Sequence, residues 1–347
     1  MSRTAVVLFN LGGPDRPAAV EPFLFNLFFD PAIIRLPLPL RWLLAKIISK
    51  KRAPVAREIY QEIGGGSPLL PNTEAQAAAL AEALADRDLG EVKVFIAMRY
   101  WHPRAAATVK QVAAFKPEKV VLLPLYPQYS TTTSASSLKE WQKEASSVGL
   151  TAPSHAICCY PQEAGFVEAT VLALRQALKE AGGAQTPKVL FSAHGLPKKI
   201  IDQGDPYQWQ VEQSVAAVLQ GLGEVNLDHQ ICYQSRVGPL EWIGPATDEE
   251  IERAGREGRT IIVVPIAFVS EHSETLVELD IEYRRLAEKA GAAAYIRVPT
   301  VGIDATFITG LAETVAAAIR GGRPLCSASG GRLCPASWRD CPQQTAA

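Results

Sequence analysis

Short, almost unbroken apolar runs alternate with helix-like patterns along the whole chain. No other feature limits the fold as much. The runs Ala5–Asn10, Val92–Met98, Lys119–Leu125, His155–Cys159, Lys188–Ala193, His229–Tyr233, Thr260–Ala267 and Ala293–Val298 have the length of strands. They lack the apolar–polar alternation of a half-solvated strand, which predicts strands covered on both faces. Between them Thr73–Ala85, Ala105–Phe115, Ser136–Ser147, Gly165–Ala181, Tyr207–Leu222, Ser273–Lys289 and Ala305–Ile319 read as helices. Such a chain is an α/β protein with parallel sheets. Thr73 followed by Gln76 predicts a capping box at the start of its helix.

The chain also repeats itself. VVLFNLGGP at 6–14 is similar to VLFSAHGLP at 189–197, and KVVLLPLYPQYS at 119–130 to TIIVVPIAFVSE at 260–271. Each is a strand running into a loop with matching punctuation. Two similar α/β domains follow. In open α/β sheets ligands bind beyond the carboxyl ends of the strands, so the repeated loops are the places to look for chemistry.

Bulk properties narrow the function. With 347 residues there is room for two cores. A net charge of −1 excludes a polyanion held by bulk electrostatics, and no nucleic-acid partner is expected. The apolar run at Ala5–Leu11 is too short for a secretory signal, and no stretch reaches the roughly 18 apolar residues of a membrane span. A cytoplasmic location is expected. Six cysteines are too few for a disulfide scaffold, yet Cys326, Cys334 and Cys341 crowd the C-terminal end.

Segment 31–57 stands apart. It carries Arg35, Arg41, Lys46, Lys50, Lys51, Arg52 and Arg57 and no acid, and Phe23, Phe25, Leu27, Phe28 and Phe29 precede it. An apolar surface edged with cations suits an anionic membrane or a flat apolar ligand bearing carboxylates. A core helix with a solvated basic flank gives the same pattern.

Four motifs could carry chemistry. FSAHGLP (191–197) puts His194 just past a strand, placed to act as ligand or base, although a lone histidine there is often structural. FVSEHSETLVELDIEYRRL (268–286) puts Glu271, Glu274, Glu278 and Glu282 on one stripe of an expected helix. That stripe is either a solvated face or a ladder for a hard cation or protons; carboxylates and imidazole both bind Fe²⁺. MRYWHP (98–103) offers Arg99 and Tyr100 to a planar acid, or simply packs a strand end. IGGGSPL (63–69) lacks the Lys-Ser/Thr of a phosphate loop and reads as a turn needing positive φ or a close approach. His102, His155, His229 and His272 are assigned structural places.

Together these segments, with LFNLGGP (8–14), LPLYPQYSTTT (123–133), YQSRVGPLEWIGP (233–245) and PIAFVSEHSETLVELDIEY (265–283), resemble the ferrochelatase family in order and over about 1–320. The resemblance implies two Rossmann-like domains with a porphyrin cleft between them, and insertion of Fe²⁺ into protoporphyrin. The implied division is 1–128 plus about 300–320, then 129–299, then a tail at 321–347. His194 and Glu274 are implied as catalytic and metal-contacting residues on opposite walls of the ring, with Glu278 behind Glu274. Arg99, Tyr100, Tyr129, Trp242 and Phe268 are implied as substrate contacts, and about 23–52 as a lip that can touch a membrane. The tail implies a [2Fe–2S] cluster on Cys326, Cys334, Cys341 and one internal cysteine, Cys158 being favoured; a tail of free thiols is the alternative. A cobalt chelatase, a coproporphyrin chelatase, a non-catalytic porphyrin carrier and a membrane-binding protein are the rival functions. The oligomeric state is left open.

Overall fold

The computed structural model describes residues 2–85, 87–182, 186–223, 226–236 and 238–343, so the end of the expected tail, 344–347, lies outside the described residues. The chain divides into two compact units, Met1–Cys159 with Leu311–Leu333, and Tyr160–Gly310 with Cys334–Cys341.

The first unit holds β1 (Arg3–Asn10), α1 (Val20–Phe29), α2 (Leu38–Gln61), α3 (Leu69–Ala85), β2 (Glu91–Met98), α4 (Ala105–Phe115), β3 (Lys119–Pro124), α5 (Ser134–Ser147) and β4 (Ser154–Ile157). Its sheet is parallel throughout, in the order β2-β1-β3-β4, and a two-residue strand, Leu325–Cys326, extends it beyond β4. Central β1 is buried along its length apart from Arg3, as its unbroken apolar run requires. Val7, Phe9, Val109, Val112, Val120, Leu122 and Trp141 form the core on one face, where Trp141 meets the edge of Phe9 with ring centres 5.8 Å apart.

The second unit holds α6 (Ala164–Ala181), β5 (Lys188–His194), α7 (Lys198–Asp202), α8 (Tyr207–Leu222), β6 (His229–Gln234), α9 (Thr247–Arg256), β7 (Thr260–Pro265), a π-helix (Glu274–Glu282), α10 (Tyr283–Ala290) and β8 (Ala294–Arg297). Its sheet is also parallel, in the order β6-β5-β7-β8. Helix α11 (Ala305–Gly321) begins in this unit and continues in the first.

The repeat read from the sequence is a repeat of topology. In each unit the first strand is central, the second lies on one side, and the third and fourth lie on the other. Even the register agrees: Phe9 pairs with Pro124 and Ser192 with Pro265, the partners that aligning the repeats requires.

Several expectations are corrected. The first unit runs to Cys159, not 128, because β4 pairs with β3 and belongs to its sheet. The tail is not a separate piece, since Leu325–Cys326 hydrogen-bonds along β4. Helix α3 starts four residues before Thr73, so there is no capping box there. Thr73 is fully buried, donates to the Leu69 carbonyl at 2.7 Å and accepts from Asn10 at 3.0 Å. The expected α-helix at Ser273–Lys289 is a π-helix followed by α10, and its changeover is marked by the Tyr283 N–H bonded to the Glu278 carbonyl, an i→i−5 bond.

Candidate functional site

His194 and Glu274 come from neighbouring strands. His194 is the last residue of β5, and Glu274 opens the π-helix that follows β7. Since β5 and β7 are adjacent and parallel, the loops at their carboxyl ends emerge side by side. His194 Nδ1 lies 3.0 Å from Glu274 Oε2. Both side chains remain partly exposed, at 38% and 27%.

This contradicts the expectation that the two groups face each other across a macrocycle. A ring held between them would need two van der Waals contacts of about 3.5 Å each. A direct hydrogen bond leaves no such slot, so the pair presents to one face of any ligand.

The bond sets the charge state of both partners. Burial works to lower the His194 pKa, but the Glu274 carboxylate, through its charge and hydrogen bond, outweighs it, and the net shift is upward. Burial would likewise raise Glu274, yet His194, with help from His272, pulls it far below the usual carboxylate range. His272 Nε2 is 3.7 Å from the same Glu274 oxygen, and its Nδ1 bonds to the Ser270 carbonyl at 3.0 Å. His272, given a structural place from the sequence, is thus part of the site. The signal was its position two residues before Glu274 in the loop after a strand.

Glu278 is next along the π-helix. Its carboxylate accepts from the Ser235 N–H (2.8 Å), the Ser235 hydroxyl (2.5 Å), Gln234 Nε2 (2.9 Å) and the Tyr283 hydroxyl (3.1 Å). Burial and the nearby Glu274 charge raise its pKa against those hydrogen bonds. Gln234 is oriented in turn by the Ser192 hydroxyl, which donates to its Oε1 at 2.8 Å. The rest of the expected ladder is absent. Glu271 leaves it to bond Arg297 at 2.7 Å, and Glu282 is exposed. Arg297 also holds Asp280 through two contacts of 2.9 and 2.7 Å, and the Tyr295 hydroxyl donates to the Leu279 carbonyl at 2.7 Å. These bonds fix the π-helix against β8.

Apolar walls flank the pair. Phe268 packs its ring 4.7 Å from that of His272. Trp242 bridges to Pro197 beside Gly195. A Cβ at Gly195 would lie 2.9 Å from the Gln234 carbonyl oxygen and 3.3 Å from Trp242, which is why glycine follows His194. The IGGGSPL turn has the same logic, since a Cβ at Gly66 would sit 2.7 Å from the Asp15 carbonyl oxygen.

In the first unit the expected contacts have other duties. Arg99 binds Asp30 and Glu140, and the Tyr100 hydroxyl donates to Asp30 at 2.8 Å. Tyr129 is buried against Cys158 and Cys159. Among the described residues no group of three or more His, Cys, Asp or Glu side chains is placed to hold a metal ion.

A family model described as Ferrochelatase matches residues 3–319. The chain belongs to the ferrochelatase family. It is 54% identical over 341 residues to a ferrochelatase of Caulobacter vibrioides, covering 98% of this chain and 97% of that one. It is 52% identical over 344 residues to a ferrochelatase of Hyphomonas neptunium (98% and 95% covered) and 48% identical over 342 residues to one of Rickettsia bellii (98% and 94% covered). A solved structure, SirB from Bacillus subtilis with Fe³⁺, superposes with a TM-score of 0.51 at 13% identity, covering 92% of this chain and 96% of that one. At that identity the likeness speaks for the fold alone.

Proposed function

We propose that the protein inserts Fe²⁺ into protoporphyrin to form haem, with release of two protons. The observation that carries this is the His194–Glu274 bond at the strand ends of a chain about half identical to ferrochelatases. Insertion makes four Fe–N bonds and breaks two pyrrole N–H bonds. His194 accepts the pyrrole protons at Nε2, because Nδ1 is taken by Glu274. Glu274, held anionic, raises the basicity of His194 and attracts the incoming Fe²⁺, a hard-to-borderline cation that oxygen and imidazole ligands suit. Glu278 stands behind it as a second carboxylate. Trp242 and Phe268 supply apolar walls for the ring, which bind it and exclude water. Binding energy spent on bending the macrocycle exposes a nitrogen lone pair. Anaerobic mixing with Fe²⁺ and protoporphyrin tests the proposal: the free-base absorption bands must give way to those of haem. Conversion of Co²⁺ but not Fe²⁺, or tight haem binding without turnover, would replace it with a rival.

The lip is a second reading, supported by one exposed surface. Leu38, Leu40, Trp42, Leu43 and Ile47 are 62, 57, 46, 51 and 55% exposed, with Arg35, Arg41, Lys46 and Lys50 among them. No described helix is long and apolar enough to cross a membrane. An amphipathic surface of this kind lies on an anionic bilayer rather than spanning it. We assign the protein to the cytoplasmic face of a membrane, and the same apolar lip favours protoporphyrin over the more acidic coproporphyrin.

The tail supports the third reading, a [2Fe–2S] cluster. Cys158, Cys326, Cys334 and Cys341 are all buried. The Cys158 N–H bonds to the Cys326 carbonyl at 2.8 Å, and Cys334 Sγ accepts from Gln210 Nε2 at 3.1 Å. Burial, then the neighbouring Cys158, pushes the Cys326 thiol up to about 11, so without a metal it stays protonated. Thiolates are the ligands such a cluster takes; Cys158 and Cys326 belong to the first unit and Cys334 and Cys341 to the second, and among the described residues no three of them are placed around one metal position. Iron and sulfide assays on anaerobically purified protein decide it; absence of both refutes the cluster.

A further inference from the structure

Asp30 ends α1 and is 4% exposed. Its Oδ2 receives three donors, Arg99 Nη2 at 2.7 Å, the Tyr100 hydroxyl at 2.8 Å and the Ser136 hydroxyl at 2.5 Å. Its Oδ1 accepts from the Ala32 N–H at 2.9 Å, and its carbonyl accepts from the N–H groups of Ile33 and Ile34 at 3.0 and 2.9 Å. One residue therefore ties three elements together: the end of β2 through Arg99 and Tyr100, the start of α5 through Ser136, and the turn that launches the exposed apolar and basic segment. Past Ala32, segment 31–47 has little cover of its own. Leu36, Leu38, Leu40, Leu43 and Ile47 are all exposed. It packs on α1, where Trp42 meets Phe25 at 6.5 Å and Arg41 lies over Phe29 at 5.3 Å, and from Leu38 onward it is the start of α2, whose Ala45 is buried. Asn26 adds a bond from α1 to the Tyr100 carbonyl at 3.0 Å.

We propose that Asp30 is a positioning residue for porphyrin binding, a latch that holds segment 31–47 in one conformation while itself touching no substrate. This rests on reading that segment as the porphyrin lip. It also gives Arg99 and Tyr100 a duty that the sequence did not reveal: their polar atoms hold the latch and are not offered to a ligand. The physical basis is that a buried carboxylate with three charge-assisted or hydroxyl donors is stable only with all of them in place. Loss of the negative charge leaves Arg99 with Glu140 as its one ion-pair partner and the Ser136 hydroxyl as a neutral acceptor at 2.7 Å, and it frees the turn.

The test is Asp30→Asn, which keeps the size and removes the charge. Trypsin cleavage after Arg35 reports latch opening without reference to any activity. If the closed lip falls to about a tenth of the molecules, the apparent affinity for porphyrin falls about tenfold. The expected result is faster cleavage after Arg35, a porphyrin KM raised by about tenfold, and an Fe²⁺ KM changed by less than about twofold. Tyr100→Phe, which deletes one 2.8 Å bond, should shift both readouts in the same direction by less. Should Asp30→Asn not fold, Tyr100→Phe and Ser136→Ala carry the same test. Unchanged cleavage in a folded variant, an unchanged porphyrin KM, or equal rises in both KM values overturns the latch. A wild-type protein that neither binds porphyrin nor makes haem fails the proposed function instead, and that result is distinct from any variant's.

Discussion

The His194 Nδ1–H donates to the Glu274 carboxylate at 3.0 Å, and the two side chains leave adjacent parallel strands. The bond predicts a pH profile. His194 must be neutral to take a pyrrole proton, and its pKa is raised above the ordinary 6.5 by Glu274. Activity is therefore lost as pH falls through that raised pKa. The acid limb of kcat/KM for the wild type lies above 6.5. In Glu274→Gln the anion is gone and burial dominates, so the His194 titration followed by NMR moves to lower pH. A titration that stays in place would show that Glu274 does not govern His194.

Glu278 sits in a socket of four donors that Ser235, Gln234 and Tyr283 provide. Glu278→Gln removes the charge behind Glu274 and little volume. We expect the Fe²⁺ KM to rise by about tenfold with the porphyrin KM near wild type, since of the two substrates the cation is the one drawn to that charge. Steady-state assays varying each substrate separately check this.

Gly195 has no room for a methyl group beside the Gln234 carbonyl. Gly195→Ala should cost about 1–3 kcal/mol in urea unfolding, the usual range for forcing an extra carbon into packed structure. It should also slow haem formation, because relief of the clash moves the backbone that carries His194.

Leu43 and Ile47 are more than half exposed and support no core. Replacing both by serine should leave the thermal midpoint within a few degrees, as surface changes usually do. The same variant should lose sedimentation with vesicles rich in anionic lipid. Retained sedimentation would remove the membrane reading of the lip.

The strands were legible because buried parallel strands leave continuous apolar runs. The Leu325–Cys326 strand was not, since two residues in a polar tail carry no period. The repeats pointed to two similar α/β domains, but the strand order that makes β5 and β7 neighbours, and with it the relation between His194 and Glu274, came from the structure. Loops after adjacent parallel strands emerge together, which rules out opposite walls. The π-helix was hidden because Leu276, Leu279, Tyr283 and Leu286 keep spacings that an α-helix also allows. Arg297 and Tyr295, which hold that helix, lie on β8, seventeen and sixteen residues beyond the residues they bond. The duties of Arg99 and Tyr100 were obscured because Asp30 lies about seventy residues earlier.

The most direct test of the account is an anaerobic stopped-flow mixing of Fe²⁺ with protoporphyrin bound to wild type or to His194→Ala. The account predicts a haem spectrum from the wild type. In the variant, porphyrin should remain bound but convert at least about a hundredfold more slowly, the lower range for loss of a general base. Haem formation by the folded variant at the wild-type rate would contradict it.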